Sequence, residues 1–249
     1  MKAQDYKDIK IANIGTQKVL SVNEILWQKK SLGPGPSKLI GGNLQAGFYG
    51  EVSTSDFITG DELAGMIGLT AGTSQNSNEP WLKFSYLGKI EFIAKKTFRY
   101  SISWDSINAV NAVFGNRIIK IGDNPYKIRL MKGKIEGKQN DSNSGGGDIN
   151  KGSEWNKLML PIHHKAPSNW ANKDNVNSPT ENWNVGYTDA DLFTYPSAGV
   201  GTYSWCQEYG SNISYRLFRG VADVSSSGNS YPSRDYSYFG WRPVLELVD

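Results

Sequence analysis

The sequence predicts an α+β fold in which strands and long loops outweigh helices. Three observations carry that prediction. Glycine is abundant, with 27 residues, and aromatic residues reach 12% while hydrophobic residues stay at 38%, a balance that suits loop-rich β-structure. Residues 81–102 alternate apolar and polar side chains as half-buried strands do. Helical spacing is confined to a few short stretches, each stopped by Gly or Pro.

Taken in order, residues 1–32 begin polar and then offer two runs short enough for strands, at 9–12 and 19–22. Gly33-Pro34-Gly35-Pro36 forbids regular structure, since each proline lacks a donor, and reads as a hinge or a crossing strap. A short helix fits residues 59–67, with Thr59 or Asp61 as cap, Leu63, Met66 and Ile67 at helical spacing, and Gly68 as the stop. The Ser/Asn/Gly stretch 71–79 reads as a linker. It divides the chain into a small Gly-rich N-terminal arm, residues 1–78, and a larger domain, residues 79–249.

Within that domain, residues 81–84, 89–93 and 97–102 are predicted strands, with Leu87-Gly88 turning between the first two. A helix follows, capped by Asp105 or Ser106, with Ile107, Val110 and Phe114 on one face and Gly115 as its end. A hairpin then turns about Gly122-Asp123-Asn124-Pro125, and the polar tract 139–150 connects onward. A second helix starts at Ser153, sets Trp155, Leu158 and Met159 at one-turn spacing, and stops at Pro161. Trp155 is the expected anchor of that helix on the sheet. Residues 164–185 are irregular, and Trp170 and Trp183 would pin them to the core. Residues 188–192 form a further short element and residues 202–208, which include Trp205, a strand. The last 35 residues bracket a loop, 221–238, between an Arg216–Gly220 run and a closing apolar run through Trp241 and Val244, read as antiparallel neighbours. The loop then lies at the rim of a rigid sheet, where binding residues concentrate.

Composition excludes several function classes. A net charge of +3 with scattered basic residues gives no footprint for nucleic acid or a membrane surface. The single cysteine, Cys206, excludes an intramolecular disulfide and a thiolate zinc cluster. No apolar run approaches the roughly 18–20 residues of a membrane span, and the N-terminus lacks a signal-peptide core, so membrane insertion is not expected and synthesis in the cytoplasm is.

Candidate chemical groups each meet a plainer reading. The adjacent His163 and His164 diverge on either a strand or a helix and are poorly placed to share a metal. Asp189 and Asp191 could act as acid and base or as Ca²⁺ ligands, but Thr188 before them favours capping. Cys206, between Trp205 and Gln207, reads as a buried inert thiol. No phosphate loop, nucleophile elbow or HExxH occurs, so no catalytic residue, metal or cofactor is expected. Arg219 and Arg242 lie inside apolar runs, where an arginine bonds carbonyls or a carboxylate such as Glu154, Glu208 or Glu246.

Arg219-Gly220, the Ser/Tyr-rich loop with Ser233-Arg234, and Gly240-Trp241-Arg242-Pro243-Val244 together resemble the C-terminal signature of C-type-lectin-like and formylglycine-generating-enzyme-like domains. The segments 153–163, 189–192, 204–208 and 239–247, in that order, resemble a family of phage and prophage virion structural proteins. The likeness takes in residues 32–73 and 81–131 as well. It implies a C-type-lectin-like domain with mixed antiparallel sheets, two short helices and long loops, following an N-terminal attachment region. The paired cysteines of the formylglycine-generating enzymes are absent, as are the EPN/QPD and WND motifs of calcium-dependent lectins, so neither that activity nor calcium-mediated sugar binding carries over.

The resemblance implies a structural protein of the virion, associated with a tail or fibre, that displays the lectin-like domain to a glycan or protein of the host surface. Its N-terminal region would hold other virion proteins, and a homo-oligomer is expected although no heptad repeat sets its order. Capsid decoration or assembly without a receptor is the alternative. In proteins of this kind ligand contacts come from the loop before the last strand. Ser225, Asn229, Tyr231, Asp235, Tyr236 and Tyr238 match that composition, Tyr giving contact area at low entropic cost. Trp155, Trp205, Arg219, Trp241 and Arg242 are then scaffold.

Overall fold

The structure is a computed structural model and describes residues 32–134, 153–164, 182–194, 201–210, 212–220 and 223–248. The strands expected at 9–12 and 19–22, the tract 139–150 and Trp170 lie outside them. The described chain is α+β, mostly strand with a few short helices.

Strands β1 (Gly41–Gly42) and β2 (Ala46–Val52) come first, followed by helix α1 (Gly60–Ile67) and β3 (Thr73–Ser74). Thr59 caps α1 in a reciprocal capping box with Glu62, and Gly68 ends it at φ 68°, where a side chain would be strained. Next are β4 (Trp81–Tyr86), β5 (Lys89–Ala94), β6 (Arg99–Tyr100), α2 (Trp104–Ala109), β7 (Phe114–Ile121) and β8 (Asn124–Arg129). Helices α3 (Glu154–Met159) and α4 (Asp189–Leu192) are capped by Ser153 and Thr188. The chain closes with β9 (Tyr203–Tyr209), β10 (Arg216–Arg219), β11 (Ser227–Ser230), β12 (Phe239–Trp241) and β13 (Val244–Leu247).

Among the described residues seven strands form one antiparallel sheet, ordered β1-β2-β4-β5-β13-β8-β7. Six form a second, β11-β10-β9-β12-β6-β3, in which β9 and β12 run parallel. The closing run therefore is not one strand beside β10. Its first half, β12, lies between β9 and β6, and its second half, β13, lies between β5 and β8. Arg242-Pro243 makes the crossing between sheets, a place where proline's missing N–H breaks no ladder bond. Strand β10 pairs with β9 and β11 instead, so the presumed loop 221–238 contains a strand of its own.

Two other differences have simple causes. Phe114 opens β7 rather than closing a helix, because α2 is capped one turn earlier by Ser103 and ends by Val110. The boundary drawn at 78/79 is bridged by sheet pairing, β2 with β4 and β3 with β6, and the compact unit runs from Leu32 to Asp249.

The core lies on one face of the seven-stranded sheet, where Phe48, Leu82, Phe84, Ile93 and Val244 meet Trp155, Leu158 and Met159 of α3. Trp183 joins them at 7% exposure and packs on Gly41, where an added Cβ would come within 2.5 Å of the Trp183 Cβ. The other face carries Phe57, Trp81, Phe92 and Tyr126 in mutual ring contact. Gly33-Pro34-Gly35-Pro36 is a strap across this face. A Cβ at Gly35 would meet Val52 Cγ2 at 2.4 Å, and the Lys83 ammonium donates to the Pro34 carbonyl at 2.8 Å.

Candidate functional site

Hairpin register builds the most exposed chemical surface of the second sheet. Because Arg216 pairs with Ser230, the residues just beyond them, Tyr215 and Tyr231, are brought together: their rings lie 4.5 Å apart and the Tyr215 hydroxyl donates to that of Tyr231 at 3.1 Å. A turn closed by Arg234 N–H on the Tyr231 carbonyl sets the Arg234 guanidinium 5.1 Å from the Tyr231 ring and 5.3 Å from that of Tyr236, within cation–π range. Tyr236 meets Tyr238 at 5.5 Å, and Tyr238 meets Tyr203 and Phe239 at 4.8 and 4.7 Å. Phe239 stacks on buried Trp205 at 4.2 Å. A continuous aromatic path thus runs from the core to solvent.

Exposure sorts the six candidate contacts. Tyr231 and Tyr236 are 44% and 46% exposed, Asp235 is exposed, and Tyr238 is half-buried beside them. Asn229 is half-buried on β11, opposite Leu217, and packs against Gly210. Ser225 is separate. It is buried, its hydroxyl donates to Asp223 at 2.6 Å, and its carbonyl accepts from Arg219 at 3.2 Å, so its groups are used within the fold. Tyr215 and Arg234 complete the surface, and only the hairpin register reveals Tyr215. The Tyr215 hydroxyl is raised by its bond to Tyr231 and that of Tyr238 by burial, so these two stay protonated at neutral pH. The surface therefore offers hydroxyl donors, flat rings and one cation. It can stack and hydrogen-bond.

The frame beneath is buried. Arg219 donates to the Gly133 carbonyl at 3.0 Å, to Asn156 Oδ1 at 2.5 Å and to the Ser225 carbonyl. Arg242, at the crossing between sheets, donates to Ser204 Oγ at 3.0 Å and to the Leu192 carbonyl. Both guanidiniums lie over the Trp155 ring, at 5.6 and 5.5 Å. Burial pulls Arg242 down to about 9. Glu154, Glu208 and Glu246 do not serve these arginines. Glu208 accepts from the Gly133 N–H instead, and burial pushes it up to about 7.

Glu154 and Glu246 belong to a buried group that the sequence reading missed. Arg129 of β8 donates through Nη1 and Nη2 to Glu154 at 2.9 and 2.7 Å, through Nη2 to Glu91 at 2.5 Å, and through Nε to Glu246 at 3.3 Å. Lys89 pairs with Glu246 at 2.5 Å. Three carboxyls thus face two cations, and one proton restores balance. Burial raises Glu91 well above the ordinary range and makes it the holder of that proton, while Arg129 outweighs burial at Glu154 and holds it low. A signal existed: Glu91 and Glu246 are each flanked on both sides by apolar residues of their strands.

The remaining candidates are structural. His163 is buried with Nε2 3.3 Å from Asp189 Oδ1, and Asp189 also accepts from the Val224 N–H at 2.9 Å. Asp191 closes the Thr188 capping box. The Cys206 thiol is buried and burial pushes it well up, which removes the thiolate. Among the described residues no three His, Cys, Asp or Glu side chains gather as a metal site, and no helix is long and apolar enough to cross a membrane. Compared with family models, curated proteins and solved structures, the chain matches none.

Proposed function

We propose that this chain is a structural protein of a phage virion, tail- or fibre-associated, in which a C-type-lectin-like domain binds a glycan or protein of the host surface. The observation that carries this reading is the solvent-facing surface of Tyr215, Tyr231, Arg234, Tyr236 and Tyr238 on a buried aromatic and arginine frame. Tyrosine rings give large contact area at little entropic cost, and a frame fixed in advance lowers the ordering cost of binding. The role is binding rather than catalysis, since the surface holds no activated nucleophile and the Cys206 thiol is sealed in the core. Attachment to other virion proteins falls to the N-terminal region, and the particle is where the protein acts, as a homo-oligomer. Adsorption competition tests this directly: purified protein should bind host cells and block phage adsorption, and failure in both would remove the receptor role.

A second reading, capsid decoration or assembly, is favoured by the edge strand β7. Its Phe114 and Ile118 are 51% and 56% exposed, and an edge with unpaired backbone groups and apolar side chains suits a subunit contact. Localising the protein on assembled particles separates the readings, because an outward Tyr surface fits the first and an outward surface with β7 buried between copies fits the second.

A further inference from the structure

One arginine of this chain differs from all the others. Arg99, Arg117, Arg129, Arg216, Arg219 and Arg242 each donate to a carbonyl or carboxylate of the fold. Arg234 makes no ion pair and no side-chain hydrogen bond among the described residues. Two carboxylates are close in the chain or across the turn, since Asp235 follows it and the Asp105 N–H bonds the Pro232 carbonyl at 3.1 Å, yet neither pairs with it. What holds the guanidinium is its place between the Tyr231 and Tyr236 rings, 5.1 and 5.3 Å from their centroids. It is exposed, oriented, and keeps all its side-chain donors for a molecule from outside.

The hydroxyls around it supply a second observation. Tyr215 donates to Tyr231, so the Tyr231 hydroxyl keeps its own hydrogen for another acceptor. The Tyr236 and Tyr238 hydroxyls bond no described residue. Donors therefore surround a cation, and the complement of such a face is an oxyanion flanked by further oxygens. Exposed ring carbon on Tyr231 and Tyr236 adds apolar area beside these groups. The neighbouring edge strand β11 has only four residues, Ser227–Ser230, which is short for pairing with an extended peptide, so recognition here falls to side chains.

We propose that the ligand of the tyrosine surface is an acidic glycan: its oxyanion is received by the Arg234 guanidinium, its sugar oxygens by the Tyr231 and Tyr236 hydroxyls, and its C–H edges by their rings. This rests on the host-binding reading above and names the ligand class for it. A carboxylate and a phosphodiester both present the paired oxygens that a guanidinium fork takes, so uronate and sugar-phosphate polymers share the chemistry. A neutral glycan would leave the guanidinium to water. A cationic one would be repelled.

Binding of the full chain to host cells, and to host surface glycans separated by anion exchange into acidic and neutral pools, tests this, with poly-glutamate as the acidic peptide. The chain should still bind cells stripped by protease, and should bind the acidic pool at least about tenfold more tightly than the neutral pool or poly-glutamate. Reducing the pool's carboxylates, or cleaving its phosphodiesters with cold hydrofluoric acid, should abolish binding by one route and so identify the oxyanion. Arg234→Gln, altered at an exposed side chain, should lose at least about tenfold with its unfolding midpoint unchanged. The Lys127→Gln/Lys132→Gln variant removes two accessible cations at and just beyond β8 and should bind as the parent does. Failure to bind cells at all would remove the receptor reading and this inference with it. With cell binding intact, the acidic-glycan inference alone would be overturned by loss of binding after protease, by preference for the neutral pool or poly-glutamate, by survival of binding through both chemical treatments, by full affinity in Arg234→Gln, or by an equal loss in the lysine variant.

Discussion

Two parts of the same C-terminal segment use similar residue types to opposite ends. Arg219, Trp241 and Arg242 are buried to 1% exposure or less, and both guanidiniums hydrogen-bond to the protein itself. Arg234, Tyr231 and Tyr236, a few positions away, stand in solvent and touch chiefly one another. Arginine and aromatic rings attract in both places. The difference is desolvation: inside, every donor needs a carbonyl or side-chain oxygen, whereas outside, water satisfies what the rings do not. The lesson is that residue type identifies partners and burial identifies purpose.

The comparison breaks first at the frame. Trp241→Ala should cost about 3–5 kcal/mol in urea unfolding, since it empties a fully buried indole site at the strand that links β9 to β6. Arg129→Ala should fall in the same range, about 3–5 kcal/mol at neutral pH, because Glu91 and Glu154 would lose their shared cation while still buried. A loss near zero in either variant would mean that these groups are not the frame.

A pH series on Glu91→Gln sharpens the point. The folded state holds the Glu91 proton more tightly than the unfolded chain, so this carboxyl favours folding fully below its ordinary value of about 4.5 and loses that contribution as pH rises toward its raised folded value. Glu154 and Glu246, held low, contribute the reverse and lose stability as pH falls. Glutamine keeps the neutral shape, so stability should decline less than in the parent as pH rises above 4.5. An unchanged slope would place the proton elsewhere.

On the exposed side, Tyr236→Ala should cost no more than about 0.5–1 kcal/mol in the same assay, as expected of a side chain 46% exposed. A cost comparable to that of Trp241→Ala would erase the distinction between frame and surface.

Much of this frame is readable from sequence, for local reasons. Thr59, Ser153 and Thr188 cap the helices that their positions indicate, and the Leu87-Gly88 turn lies where alternation pauses between two strands. Arg219 and Arg242 bond carbonyls, as arginines in apolar runs do. What escapes is long-range. Nothing local shows that Pro243 marks a change of sheet, because a break in one strand and a crossing between two look alike in sequence. Tyr215 joins the surface only through the β10–β11 register, and Ser225 leaves it because Arg219 claims its carbonyl. Glu91, Arg129, Glu154 and Glu246 come from four separate elements, so their convergence has no local signature.

The central claim is that the tyrosine surface binds and the frame only holds it. The direct test is host-cell binding by the Tyr231→Ala/Tyr236→Ala double variant, read alongside its urea midpoint. Binding should fall by at least about tenfold with the midpoint nearly that of the parent. Binding at parental strength, from a protein that folds equally well, would contradict it.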